Sequence, residues 1–458
     1  MLQVDVTELK TDFRGDVLLP GDAAYEGARR IWNAFVDRRP AVVARASGTA
    51  DVIKAVNFAR ERNLPLSIKC GGHNAAGLAT CDGMMLDLSL MKRVHVNAGS
   101  QTVRVDGGAV LGDVDAETQL HGLAVSSGIN SVTGVGGLTL GGGFGWISRK
   151  YGLTIDNMLS AEVVTADGRL VTASEQENAD LFWGLRGGGG NFGVVTSFVF
   201  RGVPLGPRIY SGLMVKRFED AGTFLRFYRD YVRELPEDMT IGLAIRHSPP
   251  FPFLAPEMHG KMIVAVIFAW AGDPSRGEEL IQPLRAVTPS LAENIGLNPW
   301  INWQKLLDAS VPFGARNYWK SHYLSMPDPA VDIIVEQAHH LPSTQTAILM
   351  LHLEGAPARV PESATAYAHR KAPFVINMQT RWENPADDER SITWARTFHT
   401  ALNSYAHGVY VNFLMDGEGE QRVRDAYAPE TWKRLVATKT KWDPQNLFRI
   451  NQNIPPAS

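Results

Sequence analysis

The chain has 458 residues, a hydrophobic content of 45%, a charged content of 20% and a formal net charge of -3. This composition is that of an ordinary globular protein with room for two or three domains. The near-neutral charge and the scatter of lysine and arginine exclude an electrostatic surface for nucleic acid or for a membrane.

Short β-rich segments alternate with helical segments from about residue 39 to residue 200. The spacing of apolar residues predicts a helix over 49–62, with Thr49 as its cap, and a second helix over 111–122. An Asp-Gly turn predicts a hairpin over 162–171. Further strands are predicted at 41–45, 65–69, 84–88, 102–105 and 193–200.

The composition changes after residue 206, where glycine becomes rarer and tryptophan and phenylalanine become frequent. Strands such as 262–268 alternate there with long helical segments. From residue 410 the chain returns to short motifs of polar and aromatic residues. We therefore predict three parts: 1–205, 206–409 and 410–458.

Two cysteines, Cys70 and Cys81, are too few for a disulfide framework and suit a reducing compartment. Residues 1–14 have no apolar core of signal-peptide length. No stretch approaches the roughly twenty apolar residues that a membrane helix needs. We expect a cytoplasmic protein that does not enter a membrane.

Three glycine-rich segments, at 71–72, 134–145 and 187–193, are the strongest chemical signal in the chain. Successive backbone N–H groups without side chains can hold an anion. The segment at 134–145 lacks the Lys-Ser/Thr ending of a P-loop, and no acidic residue follows at the spacing of a dinucleotide-binding βαβ unit. The segments could bind a nucleotide-like cofactor or serve as a glycine-rich packing element. Three such segments favour the cofactor, because ordering so many glycines without a ligand would cost backbone entropy.

The order of several motifs resembles the berberine-bridge-enzyme-like FAD-linked oxidases. The resemblance extends from about residue 38 to the C-terminus, and within the family it is to bacterial 6-hydroxynicotine oxidases and secondary-metabolite tailoring oxidases. The motifs are Gly71-Gly72-His73, Gly107-Gly108-Ala109, Gly134-Val135-Gly136-Gly137, Gly141-Gly142-Gly143-Phe144-Gly145, Lys150-Tyr151-Gly152-Leu153, Gly190-Asn191-Phe192-Gly193, Tyr410-Val411-Asn412-Phe413 and Trp442-Asp443-Pro444 with Asn446 and Phe448.

The resemblance implies an α+β fold of the vanillyl-alcohol-oxidase or PCMH type. Residues 1–205 and 410–458 would form a two-subdomain FAD-binding domain, and 206–409 a substrate domain with an antiparallel sheet covered by helices. His73 matches the histidine that bonds to the flavin methyl group, a link that raises the oxidising power of the flavin. Many relatives have a second, cysteine link where this chain has Asn130, so we expect a single covalent link. Cys70 and Cys81 are expected to be small buried residues.

The same resemblance assigns the cofactor contacts. Thr133 occupies the position that controls oxygen access to the flavin, and Tyr410 and Asn412 match a C-terminal strand at the flavin edge. The full predicted set is Gly71, Gly72, His73, Asn74, Thr133, Gly134, Gly136, Gly137, Gly141, Gly142, Gly143, Asn157, Asn191, Gly193, Val195, Tyr410, Asn412 and Asn446.

The catalytic base is predicted on a central strand of the substrate domain, at 347–355. Period-two alternation places Met350, His352 and Glu354 on one face, and we expect that face to meet the flavin. Relatives have a glutamate where this chain has Leu349. Tyr151 resembles a family tyrosine at the flavin. Tyr151, His352 and Glu354 are thus the catalytic candidates, each with a structural alternative.

The implied activity is that of an FAD-dependent oxidase. A small-molecule C–H bond beside an alcohol or amine would give hydride to the flavin, and O2 would reoxidise it. A secondary-metabolite tailoring oxidase is preferred. The alternatives are a catabolic amine or hydroxynicotine-type oxidase, and a flavin-binding protein without a working base. No nucleic-acid partner is expected, and the sequence does not indicate the oligomeric state.

Overall fold

Three large sheets follow one another along the chain and determine where the glycine-rich segments lie, and β7 and β11 form a small two-stranded sheet. The computed structural model describes residues 4–457. The strands are β1 Asp16–Leu18, β2 Val42–Arg45, β3 Leu66–Lys69, β4 Met84–Asp87, β5 Val94–Asn97, β6 Thr102–Asp106, β7 Leu123–Ala124, β8 Met158–Val164, β9 Leu170–Ser174, β10 Val194–Arg201, β11 Val203–Pro204, β12 Arg208–Arg217, β13 Met239–His247, β14 Met262–Trp270, β15 Ser290–Pro299, β16 Arg316–Leu324, β17 Ala347–His352, β18 Phe374–Trp382 and β19 Ala406–Gly408.

Helices cover these sheets, and short 3-10 turns link many of the elements. The α-helices are α1 Thr7–Lys10, α2 Tyr25–Arg29, α3 Thr49–Glu61, α4 Leu111–Thr118, α5 Val135–Gly141, α6 Ser148–Tyr151, α7 Ala179–Leu185, α8 Ala221–Glu234, α9 Gly277–Val287, α10 Trp300–Gln304, α11 Asp328–Ala338, α12 Ala356–Arg359, α13 Asp388–Ala401, α14 Glu420–Arg424 and α15 Pro429–Trp442. Among residues 4–457, no helix combines the length and the apolar character needed to cross a membrane.

The first sheet has the strand order β1-β2-β4-β3, in which β4 runs parallel to both β2 and β3. Helix α3 covers it because Val52, Ala55, Val56 and Ala59 recur at helical spacing and are all buried. Strand β3 ends at Lys69, so the chain delivers the first glycine pair directly from the edge of this sheet.

The second sheet is antiparallel, with the order β5-β6-β10-β8-β9. The predicted hairpin is present as β8 and β9, and Gly168 in its turn has a φ of 82°. This left-handed conformation is one that glycine adopts without steric cost. The second and third glycine segments lie in the connections around this sheet, with α5 beginning at Val135 and β10 following Gly193.

The third sheet has eight strands in the order β15-β12-β14-β13-β17-β18-β16-β19, all paired antiparallel. Helices α8, α9, α11 and α13 cover one face, where Phe224, Ile334 and Phe398 are buried with Ile348 and Met350 of β17. The opposite face turns toward the glycine segments. The expected antiparallel sheet with a helical cover is therefore confirmed.

Some element predictions need correction at their ends. Helix α3 begins at Thr49, and its N-cap is Gly48 without a side-chain hydrogen bond. Helix α4 ends at Thr118, and a 3-10 turn, Gln119–His121, completes the predicted segment. The segment around Tyr410 and Asn412 is a 3-10 turn, Val411–Phe413, and not a strand.

Candidate functional site

A cavity of about 430 Å³ lies between the glycine segments and the free face of the third sheet. It is lined by thirteen of the predicted cofactor residues: Gly71, Gly72, His73, Asn74, Thr133, Gly134, Gly136, Gly137, Asn191, Gly193, Val195, Tyr410 and Asn412. The three separate glycine motifs are thus brought to one site, together with the C-terminal segment. Residues that were predicted to contact one cofactor therefore lie around one cavity.

The glycine segments touch each other through their backbones. A Cβ at Gly71 would lie 2.6 Å from the backbone nitrogen of Gly134, and a Cβ at Gly134 would lie 2.4 Å from the nitrogen of Gly71. Both positions therefore exclude any larger residue. A Cβ at Gly137 or Gly190 would meet nothing within 4 Å, although both residues line the cavity. Bare backbone at these two positions faces open space that a ligand can fill.

His73 presents a neutral imidazole to the cavity. Burial lowers the pKa of His73 to about 4. The ring stacks on Trp32, with 4.6 Å between ring centroids and 17° between their planes. Its Nε2 atom is buried and has no hydrogen-bond partner within the described residues. An uncharged ring nitrogen held in a fixed orientation is chemically free to attack an electrophile.

The second link position holds Asn130, which lines the cavity and whose Oδ1 is buried with no hydrogen-bond partner among residues 4–457. Cys81 is buried, as expected, whereas Cys70 is only partly buried and lines the cavity. Burial raises the pKa of the Cys70 thiol to about 11, and its Sγ lies 3.5 Å from the carbonyl oxygen of Ala109. Cys70 is therefore held as a protonated thiol against the backbone.

The C-terminal segment joins two of the glycine motifs. The Tyr410 hydroxyl accepts hydrogen bonds from the backbone N–H of Gly143 at 3.0 Å and from Nδ2 of Asn412 at 3.0 Å. The same Nδ2 donates to the carbonyl oxygen of Gly137 at 3.0 Å. These contacts fix helix α5 from outside, so Tyr410 and Asn412 shape the cavity wall.

Asn191 ties the third glycine segment to the end of the chain. Its Nδ2 donates to the carbonyl oxygens of Gly188 at 2.8 Å and Gln452 at 3.2 Å, and its Oδ1 accepts from the backbone N–H of Ile454 at 3.0 Å. Lys439 is fully buried close by and pairs with Asp443 at 2.7 Å. Lys439 was not among the predicted site residues; its i,i+4 spacing to Asp443 of the Trp-Asp-Pro motif was the available signal.

Five predicted cofactor residues lie behind the cavity wall. A Cβ at Gly141, Gly142 or Gly143 would strike the side chains of Asn412, Tyr367 and Thr154, respectively. These three glycines allow close packing and do not face the cavity. Asn157 donates from Nδ2 to the carbonyl oxygens of Tyr151 and Leu153, at 2.8 and 3.0 Å. Asn446 adopts a φ of 52° in the turn after α15.

The three catalytic candidates also lie outside the cavity. His352 and Glu354 bond to each other at 2.8 Å, and Glu354 pairs with Arg233 of α8 at 3.2 Å. Burial lowers the pKa of His352, and the bond to His352 lowers the pKa of Glu354. The Tyr151 hydroxyl donates to the carbonyl oxygen of Pro204 at 3.0 Å.

The expected orientation of β17 was wrong. Ile348 and Met350 belong to the core under the helices, whereas Ala347, Leu349 and Leu351 line the cavity; Met350 also reaches the cavity lining. Both faces of this strand are apolar, so alternation alone does not say which one meets the site. His352 shares the helix-covered face.

Several polar side chains on the cavity face of the third sheet were not predicted as site residues. Asn377 of β18 lies opposite Leu349, is buried, and has no partner for either side-chain polar atom within the described residues. Trp319 of β16 pairs in register with Gln379. The available signal was the presence of asparagine, glutamine and arginine at alternate positions of an otherwise apolar strand. The full missed set is Arg246, Asn317, Trp319, Gln345, Asn377, Gln379 and Arg381.

The site has the features that an FAD molecule requires. Bare backbone at Gly137 and Gly190 faces the open cavity, and polar atoms of His73, Asn130 and Asn377 are buried without hydrogen-bond partners in the described part of the chain. Buried polar groups in proteins are almost always satisfied, so this arrangement fits a bound polar ligand. The apolar wall opposite suits a flat aromatic ring system.

Comparison with known families agrees with this fit. Residues 40–174 match the family described as "FAD binding domain", and residues 409–455 match the family described as "Berberine and berberine like".

Known relatives and a solved structure extend the likeness over the whole chain. An FAD-linked oxidoreductase of Dictyostelium discoideum is 31% identical over 98% of this chain and 97% of its own. The (R)-6-hydroxynicotine oxidase of Paenarthrobacter nicotinovorans is 30% identical over 97% of each chain. The crystal structure of 6-hydroxy-D-nicotine oxidase from Arthrobacter nicotinovorans has a TM-score of 0.87 at 28% identity, covering 99% of this chain and 100% of that one. The chain therefore belongs to the berberine-bridge-enzyme-like family of FAD-linked oxidases.

Proposed function

We propose that this FAD-dependent oxidase holds its flavin through one covalent bond to His73 and oxidises a small-molecule C–H bond beside an alcohol or amine. The observation that carries the proposal is the uncharged, cavity-facing imidazole of His73, whose Nε2 has no partner in the described chain. The glycine pair before it leaves room for a flat ring to approach. Asn130 cannot form a thioether, which supports a single link.

When bound, FAD supplies the hydride acceptor and passes the electrons to O2. The chain holds it and excludes water. Backbone N–H groups of the glycine segments would face the diphosphate, since such groups form an anion-binding surface. Leu349, Leu351 and Leu213 present apolar side chains from the sheet, which keep water away from the reacting atoms.

The domain division at 205/206 and 409/410, the cytoplasmic location and the thirteen cofactor contacts that line the cavity are part of the proposal. A secondary-metabolite tailoring role is preferred. A catabolic oxidase of the amine or hydroxynicotine type is the alternative, and the 30% identical relative named for 6-hydroxynicotine supports it. A flavin-binding protein without turnover is the third candidate, because the apolar Leu349 lines the cavity at the position where the family resemblance implies a glutamate.

The test is to look for flavin that stays with the denatured chain. The purified protein should be yellow, the colour should stay with the acid-precipitated polypeptide, and intact-mass measurement should show one adduct of the size of FAD. The His73→Ala variant should release its flavin on denaturation. His95→Ala is the matched control because His95 is exposed on β5 and should keep the adduct.

Air reoxidation separates the functional alternatives. Flavin reduced by dithionite should return to the oxidised spectrum when air is admitted. A flavin that stays reduced in air would indicate a dehydrogenase. A flavin that reoxidises in air but is not reduced by any alcohol or amine offered would favour the binding protein. Loss of the adduct from wild-type protein made in flavin-replete cells would disprove the covalent link.

A further inference from the structure

Two arginine side chains share one end of the cavity face of the third sheet. In the strand register, Arg246 of β13 lies opposite Ala347 of β17, and Ala347 lies opposite Gln379 of β18. Arg381 is two residues beyond Gln379 and therefore projects from the same face. Neighbouring strands are about 4.8 Å apart and the rise along a strand is about 3.4 Å per residue, so the two arginine backbones are separated by about 12 Å, a gap that long side chains can close.

Neither guanidinium forms an ion pair within the described chain. Nε of Arg246 donates to the carbonyl oxygen of His247 at 3.2 Å. Arg381 donates from Nε to Oε1 of Gln345 at 3.1 Å and from Nη2 to the carbonyl oxygen of Pro312 at 2.5 Å. Arg381 is only 4% exposed, and its Nη1 is buried with no hydrogen-bond partner within the described residues.

One carboxylate lies in the neighbourhood but is used elsewhere. Glu383 follows β18 and is exposed, and its Oε1 accepts a hydrogen bond from Nε2 of Gln345 at 2.9 Å. Burial and the positive charge of Arg246 lower the pKa of Arg381, and the charge of Glu383 raises it by less. The pKa of Arg381 is therefore lowered to about 10. Two like charges at the edge of a partly dry cavity are costly unless an anion joins them.

We propose that the substrate is a small organic carboxylate, and that Arg246 and Arg381 bind its anionic end. This inference rests on the proposed function, because the same cavity would hold the flavin. The planar fork of a guanidinium matches a carboxylate with two parallel hydrogen bonds. Gln345 and Gln379 lie beside the arginines, and Phe251 and Leu306 provide apolar contact for the remainder of the substrate.

The position of the pair relates the carboxylate to the flavin. The guanidinium of Arg381 lies 5.8 Å from the centroid of the Trp32 ring, and Trp32 stacks on His73. The anionic end of the substrate therefore lies on the His73 side of the cavity. The bare backbone of Gly137 and Gly190 belongs to connections around the second sheet, whereas both arginines project from the third sheet, so the arginines are left for a second anion.

The experiment uses the wild-type holoenzyme and four simple probes. Benzoate and phenylacetate are titrated while the flavin absorbance spectrum is recorded, and the neutral benzamide and phenylacetamide serve as their counterparts. At least one acid should perturb the spectrum with an affinity about tenfold or more above that of its amide. Arg246→Gln and Arg381→Gln should each weaken the acid about 10- to 100-fold, as expected for a lost charged hydrogen bond, and leave amide binding unchanged.

Arg276→Gln is the matched control, since Arg276 is exposed before α9, and it should bind the acids as wild type does. Arg381→Lys keeps the charge and should recover part of the affinity. Arg246 is only half-buried, so Arg246→Gln provides the test if Arg381→Gln does not fold.

The proposal is overturned if neither acid perturbs the flavin, if acid and amide bind equally, or if both glutamine variants bind the acid normally. It is also overturned if these variants lose flavin while the remaining holoenzyme binds acid as before, because the arginines would then serve the cofactor. Flavin content and air reoxidation are measured in each sample, and their preservation shows that the proposed oxidase function stands on its own.

Discussion

Gly137→Ala should separate the folding of the site from its capacity for FAD. Gly137 lies inside helix α5, its φ is not positive, and a Cβ there would meet nothing within 4 Å. Alanine is favoured over glycine in a helix interior by about 0.8–1.0 kcal/mol. The protein without flavin should therefore be as stable as wild type or slightly more stable.

The added methyl group should instead obstruct the ligand. Gly137 lines the cavity, and its methyl group would occupy space next to a bound cofactor. Overpacking by one methyl group costs about 1–3 kcal/mol, which corresponds to a loss of affinity of roughly 5- to 150-fold. The effect should appear in FAD binding while the thermal transition of the flavin-free protein stays in place.

The assay is titration of FAD into flavin-free protein of the His73→Ala background, in which binding is expected to be reversible, with unfolding followed in parallel. Gly296→Ala is the matched control: Gly296 lies in β15, outside the cavity, and a Cβ there also meets nothing within 4 Å. Wild-type FAD affinity in the Gly137→Ala protein would refute the idea that this backbone faces the cofactor.

Three further changes test other parts of the structure. Burial raises the pKa of Asp115 to about 7 from its usual value near 3.8. The folded state therefore keeps a proton that the unfolded chain loses, and stability should fall as the pH rises from about 4 to about 7. The Asp115→Asn variant should show a smaller change in Tm between pH 5 and pH 8 than the wild type, and an identical change would contradict this. Tyr151→Phe removes one hydrogen bond to Pro204 and should cost about 0.5–1.5 kcal/mol of stability with an unaltered pH–rate profile, whereas a displaced profile would return Tyr151 to the catalytic candidates. Asn130→Cys places a thiol on the cavity wall, and the double variant with His73→Ala should keep flavin after denaturation; release of all flavin would count against the assigned position.

Much of the fold was predictable because its signals are local. The strands β2 and β10 contain β-branched runs, β4 is an apolar run, and α3 shows apolar residues at helical spacing. The glycine motifs predicted the cavity because backbone N–H groups without side chains can themselves contact a ligand. The placement of thirteen predicted cofactor residues around one cavity follows from this.

What could not be predicted depends on contacts between distant segments. The face that β17 turns to the cavity is undetermined by a strand that is apolar on both sides, which is why His352 was assigned to the wrong face. That Arg246 and Arg381 lie near each other follows only from the register of three strands, β13, β17 and β18. Gly141, Gly142 and Gly143 look like cradle residues in the sequence, yet the side chains in front of them make them packing positions.

The two-sided third sheet has a consequence for how substrate preference can change. On β17 and β18 the helix-covered residues, such as Ile348 and Met378, alternate with cavity residues, such as Leu349 and Asn377. A mutation on the cavity side alters the chemical character of the pocket without opening a void beneath the helices. Selection can therefore change the substrate while the scaffold keeps its stability, because a substitution at a cavity-lining position leaves the neighbouring helix-covered residue unchanged.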